Sequence, residues 1–358
     1  MKRIKRDPGK MEVLKLFATI GRRHGFTLGD KTSETQFLES VSASLIRNKD
    51  NQSLLHGFRA EDLFQYVAAS LGKCLLIKQE DTGEPIAVSE MQPPDYQLVL
   101  QDKSRIFVEV KNCHKKQPAC LFTLRGDYID RLLQYSNLFD TDIRIAIYWS
   151  AWNIWTLVSL KEFTEINGKY QITMFDAVKS NEMNTLGDTS IGTTPPLILR
   201  FIADKAKPHS IDDKGFANFT IGEIEFRCGA NVIRDKTEQQ FAFYFMLHGD
   251  WYTGAPEAII EDNKVVAIDY IAKPETTTPG QGFEIIGAMS SLISRCYRDL
   301  VLTSSSGERI STSAEPASLG LMIPEDYKSK TLPLWRFHIK VRFSHLLCGE
   351  KPIENRFN

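Results

Sequence analysis

Pro93-Pro94-Asp95-Tyr96-Gln97-Leu98-Val99-Leu100 is followed, after residues 101–104, by Arg105-Ile106-Phe107-Val108-Glu109-Val110-Lys111-Asn112. The first run reads as a strand opened by Pro-Asp, the second as a strand closed by Glu-x-Lys. Alternate side chains of a strand share a face. Phe107, Glu109 and Lys111 therefore point one way, Val108 and Val110 the other. The apolar density around them is that of a strand covered on both faces. Ionised groups in such a strand are costly unless paired or bound to a cation. A symmetric turn at 101–104 would set Asp95 opposite Val110, with its side chain on the wrong face. An odd loop, a bulge or an irregular start after Pro94 brings it to the Glu109 side. Two prolines favour the irregular start.

Carboxylates that converge from neighbouring strands repel each other, and a hard divalent cation relieves the repulsion. Two carboxylates plus the Val110 carbonyl oxygen are a sufficient protein share of a magnesium shell. Such an ion lowers the pKa of a bound water and offsets charge building on a phosphate. Lys111 then orients the water or the phosphate as a point charge. Upstream, residues 59–71 have helical spacing, with Leu63, Phe64, Val67, Ala68 and Leu71 in one stripe. Glu61 lies at the margin of the stripe and reaches a site beneath the helix, directly or through water. Asp62 points well away.

Around this centre the order is helix, three strands, helix, two strands. Cys74 to Lys78 reads as a short buried strand, followed by a polar loop with Asp81, Gly83, Glu84 and Pro85. The motif strands span 97–100 and 105–111. A helix is expected over 127–139, with Asp127 as N-cap and Tyr128, Ile129, Leu132, Leu133 and Phe139 inward. Strands over 143–149 and 154–160 form a hairpin. Two helices, near 11–25 and 33–48, precede the whole. Glycines, threonines and prolines cluster over 187–196 and mark a boundary. Beyond it, strands are expected at 197–203, 219–227, 264–271 and 335–343, a helix over 283–300, and a polar, mobile loop over 302–316. The reading is a helical region 1–52, a central domain 53–190 and an α+β domain 191–358 of unassigned role.

Pro94-Asp95 with Glu109-Val110-Lys111, preceded by Glu61 on a helix, resembles the PD-(D/E)XK nuclease superfamily over residues 55–160. This is the restriction-endonuclease-like group that includes archaeal Holliday-junction resolvases and many prokaryotic defence nucleases. The resemblance implies an α/β fold with an αβββαβ core and magnesium, or manganese in its place. It implies hydrolysis of phosphodiester bonds in DNA, as in an endonuclease of a defence, recombination or mobile-element system. It makes Asp95 and Glu109 metal ligands, Lys111 the catalytic lysine and Glu61 the helix acid. Arg131 and Gln134 stand where members carry a basic residue or glutamine on the following helix. The Gln-x-x-x-Tyr spacing of one subgroup is absent, because position 138 is Leu138. The rival readings are a non-catalytic nucleic-acid-binding or assembly protein that keeps the fold, and a nuclease acting on RNA.

The composition fits a folded chain: 42% hydrophobic, 25% charged, net charge −1. Charge is uneven along it. Residues 1–50 hold eleven Lys/Arg against six Asp/Glu, a net of +5. Lys115 and Lys116 follow Lys111 closely and, with Asn112, are candidate phosphate contacts. His56 and His114 flank the motif. Trp149, Trp152 and Trp155 surround the hairpin and are read as core. Six scattered cysteines fit a reducing compartment, and Cys113-His114 with Cys120 lacks a second zinc-ligand pair. No secretory signal or membrane-spanning run is present, so a cytoplasmic protein is expected. The expected partners are DNA and either a second copy or a partner protein bound through the C-terminal half.

Overall fold

The computed structural model describes residues 1–4, 8–80, 86–207, 210–211, 214, 216–262, 264–302 and 311–338. Helices α1 (Pro8–His24) and α2 (Lys31–Asn48) form a hairpin closed by Phe17 and Phe37, whose rings meet edge to face at 5.2 Å. Asp30 caps α2 by accepting from the Thr32 and Ser33 N–H groups. Helix α3 (Gln52–Leu71) begins two turns before its apolar stripe, because the Asn51 side chain accepts the Leu54 N–H. Leu54 and Phe58 in those turns stay about half exposed, so they print no stripe.

Strands β1 (Cys74–Gln79), β2 (Tyr96–Leu100) and β3 (Arg105–Cys113) are followed by β4 (Phe122–Arg125) and α4 (Gly126–Leu138). Strands β5 (Ile143–Trp149) and β6 (Ile154–Ser159) complete a five-stranded sheet of order β1-β2-β3-β5-β6. The β3/β5 pair is parallel and the others antiparallel. A parallel pair needs a long crossover, and α4 lies within it. Val108 and Val110 pack under α3 with Phe64, Val67 and Trp155. Phe107 packs on the other side with Ile129 and Leu132 of α4. The alternation read from the sequence therefore divides two cores. Strand β1 is an edge strand and not a buried one. Leu75 and Leu76 are exposed, and a bulge lies between Cys74 and Leu76.

Strands β7 (Thr164–Ile166) and β8 (Lys169–Ile172) join β4 in a small sheet, followed by α5 (Met174–Lys179). Strands this short carry no readable period. The small sheet fixes the start of α4. The Gly126 N–H donates to the Gly168 carbonyl at 2.8 Å, and a Cβ at 126 would lie 2.6 Å from that oxygen. Arg125, not Asp127, holds the N-cap position of α4, without a side-chain cap. Asp127 lies inside the first turn and pairs with Arg125 and Arg131. Phe139 is about half exposed, but its ring still meets that of Phe107 edge to face at 5.6 Å.

The C-terminal region is α+β. It comprises β9 (Ser190–Thr193), β10 (Leu197–Ala203), β11 (Ser210–Ile211), β12 (Ala217–Asn218), β13 (Ile221–Cys228) and β14 (Asn231–Ile233). There follow α6 (Lys236–His248), β15 (Tyr252–Thr253), β16 (Glu257–Glu261), β17 (Lys264–Lys273), β18 (Glu284–Ala288), α7 (Met289–Leu302) and β19 (Leu334–Phe337). Strands β14-β13-β10-β17-β15 form an antiparallel sheet with β16 beside β17, and β18-β9-β19 form another. The helix expected over 283–300 divides into β18 and α7. Gly287, at φ +139, makes the break, and Ile285 lies exposed on the strand. Helix α6 was not anticipated. Asp235 caps it, and Phe241, Ala242 and Phe245 are buried beneath it.

Helix α7 lies against α3. Tyr297 donates its hydroxyl to Asp62 and stacks obliquely on Tyr66, and Trp155 Nε1 donates to Ser294 Oγ at 3.0 Å. Asp62 lies off the α3 stripe, as expected. The residue turns away from the sheet, yet it is buried because α7 covers that side. Residues 81–85 of the polar loop, 303–310 of the expected loop, 339–343 of the expected last strand and Cys348 lie outside the described residues. Among the described residues, no helix is long and apolar enough to cross a membrane.

Candidate active site

The β2–β3 connection decides where Asp95 goes. The Leu100 N–H donates to the Ser104 carbonyl and the Lys103 N–H to the Leu100 carbonyl, both at 2.9 Å. Lys103 takes φ +68°, and Asp102 accepts the Ser104 N–H. This is a three-residue hairpin loop with its third residue left-handed. The odd count pairs Val99 with Arg105 and Tyr96 with Val108. Continued by one residue, the same register sets Asp95 opposite Glu109. The odd loop thus supplies the correction, and Asp95 itself lies in a bend just before β2. Asp95 Oδ2 accepts the Val110 N–H at 2.6 Å, and the Asp95 carbonyl accepts the Glu80 N–H at 2.9 Å. Glu80 prolongs the row of acids, but its carboxylate is held by Tyr135 at 2.8 Å and Lys78 at 2.7 Å.

Glu109 is 2% exposed. Its Oε1 accepts from Lys111 Nζ and from the Tyr128 hydroxyl. The ammonium also donates to the Tyr128 oxygen at 3.2 Å and lies 5.0 Å from the centre of that ring. Glu109 Oε2 is buried with no hydrogen-bond partner. A buried carboxylate oxygen left bare is expensive, and a cation is what such an atom can hold. Burial pushes the Asp95 carboxyl up to about 8, helped by the Glu109 and Glu61 charges and opposed by Lys111 and the Val110 N–H. Burial works against charge on Lys111, but Glu109, Tyr128 and Asp95 outweigh it and hold the ammonium above its ordinary range. Tyr128 is pushed up by burial and by Glu109.

The expected residues divide into two groups. Asp95, Glu109 and Lys111 come together, and Val110 offers its N–H to Asp95. Glu61 is half-buried on α3, close enough for its charge to raise Asp95, and its carbonyl accepts the Tyr96 hydroxyl at 3.0 Å. Asn112 donates to the His56 carbonyl at 3.2 Å and keeps a buried, unpartnered Oδ1. Arg131 pairs with Asp127 along its own helix, and Gln134 is exposed. Among the described residues, no hydrogen bond or ion pair joins either to Asp95, Glu109 or Lys111. Lys115 donates to the Leu121 carbonyl, and both it and Lys116 are exposed. The rings of His56 and His114 meet edge to face at 4.9 Å, and Ser150 Oγ lies 2.8 Å from His114 Nδ1. Trp149 and Trp155 are core, whereas Trp152 is exposed. Among the described residues, no three or more His, Cys, Asp or Glu side chains gather to hold a metal. The donor set that fits an ion is the Asp95–Glu109 pair.

Tyr128 is the contact that sequence reasoning missed. It reads as one more inward residue of α4, yet its hydroxyl bonds both Glu109 and Lys111. The available signal was its position. The first turn of α4 faces the Glu109 side of β3, where a tyrosine can bring a polar tip. Tyr128→Phe keeps the ring and removes both bonds. Affinity of the Asp95–Glu109 pair for Mn2+, read by calorimetric titration, is expected to fall about 10- to 100-fold, the usual cost of losing a group that orients a ligand. An unchanged affinity would refute the role.

The raised Asp95 carboxyl has a pH consequence. The native protein keeps this proton up to about pH 8, whereas an unfolded aspartate loses it near about 3.9. The native state then holds the extra proton, so metal-free stability falls as pH rises through that window. A cation must displace the proton. Affinity for Mn2+ should therefore rise from pH 6 to pH 8, by up to about tenfold per unit. Calorimetric titration checks it. An equal affinity at both pH values, or an Asp95→Asn variant with the same pH slope, would refute the coupling.

No family model matches the chain, and none of the curated proteins matches it. Among solved structures, it is similar to Hjc, a Holliday junction resolvase from the archaeal hyperthermophile Archaeoglobus fulgidus. The likeness covers 31% of this chain and 84% of that one, at 14% identity and a TM-score of 0.25. A likeness of that size identifies neither a family nor an activity.

Proposed function

We propose that the chain is a divalent-metal-dependent nuclease of restriction-endonuclease-like architecture, hydrolysing phosphodiester bonds in DNA. One observation carries the reading. The β2–β3 register, continued by one residue, sets Asp95 opposite Glu109 within reach of its charge, Lys111 stands two residues on along the same face, and Glu109 Oε2 is buried with no hydrogen-bond partner. Asp95 and Glu109 would hold Mg2+ or Mn2+, with Glu61 adding charge from α3. The bound ion would lower the pKa of a water and offset phosphate charge. Lys111 stays protonated and presents a positive charge where a phosphate or its attacking water must sit. Tyr128 holds Glu109 and Lys111 in one geometry. Asn112 Oδ1, buried and unpartnered, suits a substrate or water donor.

The proposed catalytic unit is 53–190, with the helical region 1–52 before it and 191–358 serving substrate recognition, a partner or regulation. The test is incubation of plasmid, linear duplex, single strand, four-way junction and RNA with the protein, in magnesium, manganese and chelator. Cleavage of DNA that needs the metal supports the proposal. Binding without cleavage in every metal supports the non-catalytic reading. Cleavage confined to RNA replaces the substrate class. The non-catalytic reading draws on the direct Lys111–Glu109 contact, which leaves only one Glu109 oxygen open.

A further inference from the structure

Strands β3 and β5 are the parallel pair of the sheet, and His114 and Ser150 stand directly past their carboxyl ends. In open sheets, ligands bind beyond the carboxyl ends of parallel strands. The Ser150 N–H donates to the Cys113 carbonyl at 3.0 Å, and Ser150 Oγ lies 2.8 Å from His114 Nδ1. Helix α3 adds His56, whose ring meets that of His114 edge to face with centres 4.9 Å apart. Asn112 ties this turn of α3 to β3 through the His56 carbonyl. Among the described residues, the His56 ring makes no hydrogen bond, and His114 Nε2 makes none. Residues 51–60, 110–126 and 143–160, which supply these groups, contain no Asp or Glu. They carry Arg59, Lys115 and Lys116 beside the two histidines. Two imidazoles this close repel each other once protonated, and burial and His56 hold the His114 ring below its ordinary range. No carboxylate of these segments offsets that repulsion, whereas an anion lodged between the rings would.

We propose that His56, His114 and Ser150 form a phosphate subsite that grips the nucleic-acid strand away from the bond to be cut. A helix rises about 1.5 Å per residue, so Glu61 stands about 7.5 Å along α3 from His56. A strand rises about 3.3 Å per residue, so His114 stands about 10 Å past Lys111. These spacings equal about two to three nucleotide steps along one strand. A nucleic acid whose scissile phosphate sits at Lys111 therefore brings another phosphate to the histidines. The ring N–H groups of His56 and His114 donate to its oxygens, and the Ser150 hydroxyl engages His114 Nδ1 and leaves Nε2 to the phosphate. The three are positioning residues, holding the substrate without touching the reacting atoms. The inference rests on the nuclease reading for its substrate, but binding without metal tests it apart from cleavage.

The probe is a labelled DNA duplex, titrated with the full chain in chelator at pH 6 and read by fluorescence anisotropy. The His56→Gln/His114→Gln variant is expected to bind at least about tenfold more weakly, the value of one hydrogen bond to a charged group. Its salt dependence should also be shallower by about one phosphate contact. His114 is exposed, so His114→Gln alone keeps the fold and should give part of the loss. His114→Lys keeps a positive charge and should restore most of the affinity, which a merely structural role would not. In magnesium, the loss should appear in KM rather than in kcat. Wild-type affinity and salt slope in the double variant would overturn the proposal, and so would a wild type that binds no DNA. A wild type that binds through the histidines but cleaves nothing would remove the nuclease reading and leave the subsite in place.

Discussion

Lys111→Ala is expected to lower the rate of metal-dependent DNA cleavage by about 100- to 1,000-fold, the usual loss when one charge-stabilising group leaves an active site. Asp95→Asn and Glu109→Gln are expected to bring cleavage to background, because each removes half of the pair that holds the cation. Stability should separate the three. Without Lys111, Glu109 is buried beside Tyr128 alone. Breaking a buried pair from one side costs about 3 kcal/mol at the low end, and the remaining tyrosine bond keeps the loss near that end. Asp95→Asn removes a group whose ionised form burial and Glu109 both disfavour, so above about pH 8 the metal-free variant should be at least as stable as wild type. This is the trade expected where a site is built for function at the expense of stability. Plasmid cleavage assays and urea melts in chelator give both readouts. Full activity in Asp95→Asn, or equal stability losses in all three variants, would contradict the assignment.

Phe64→Ala is expected to cost about 3–5 kcal/mol, the range for truncating a buried aromatic. Phe64 is fully buried on α3, with its ring 5.7 Å from Tyr96 and 5.6 Å from Trp155. Its neighbours belong to β2 and β6 and cannot easily collapse into the gap, because the strands are fixed by the sheet. Tyr96 also bonds the Glu61 carbonyl, so the same packing sets the distance between α3 and the Asp95 end of the sheet. Urea unfolding measures the loss. A cost below about 1 kcal/mol, the size of an ordinary surface change, would mean that α3 is not seated on the sheet as described.

The parts of this molecule legible in the sequence are those governed by short periods. Period-two alternation placed Val108 and Val110 under one helix and Phe107, Glu109 and Lys111 under another. The same rule required a register shift at Asp95, and a three-residue loop provides it. What was not legible depends on contacts distant along the chain. Asp62 reads only as pointing away from the stripe, and α7, over 200 residues later, covers it with Tyr297. Tyr128 reads as core until the start of α4 is fixed by Gly126 against Gly168. Ile285 and Ile286 continue the helical spacing of α7, and only Gly287 and pairing with β9 make them a strand. Arg131 and Gln134 stand on the helix after the motif, but the helix turns them to its own surface.

The central claim is that Asp95 and Glu109 share one divalent cation. Anomalous diffraction from crystals soaked in Mn2+ tests it most directly. The account requires a single strong peak in contact with both carboxylates, absent from Glu109→Gln crystals treated alike. A soaked wild-type crystal with no peak between them, and Asp95 still bonded only to the Val110 N–H, would contradict it.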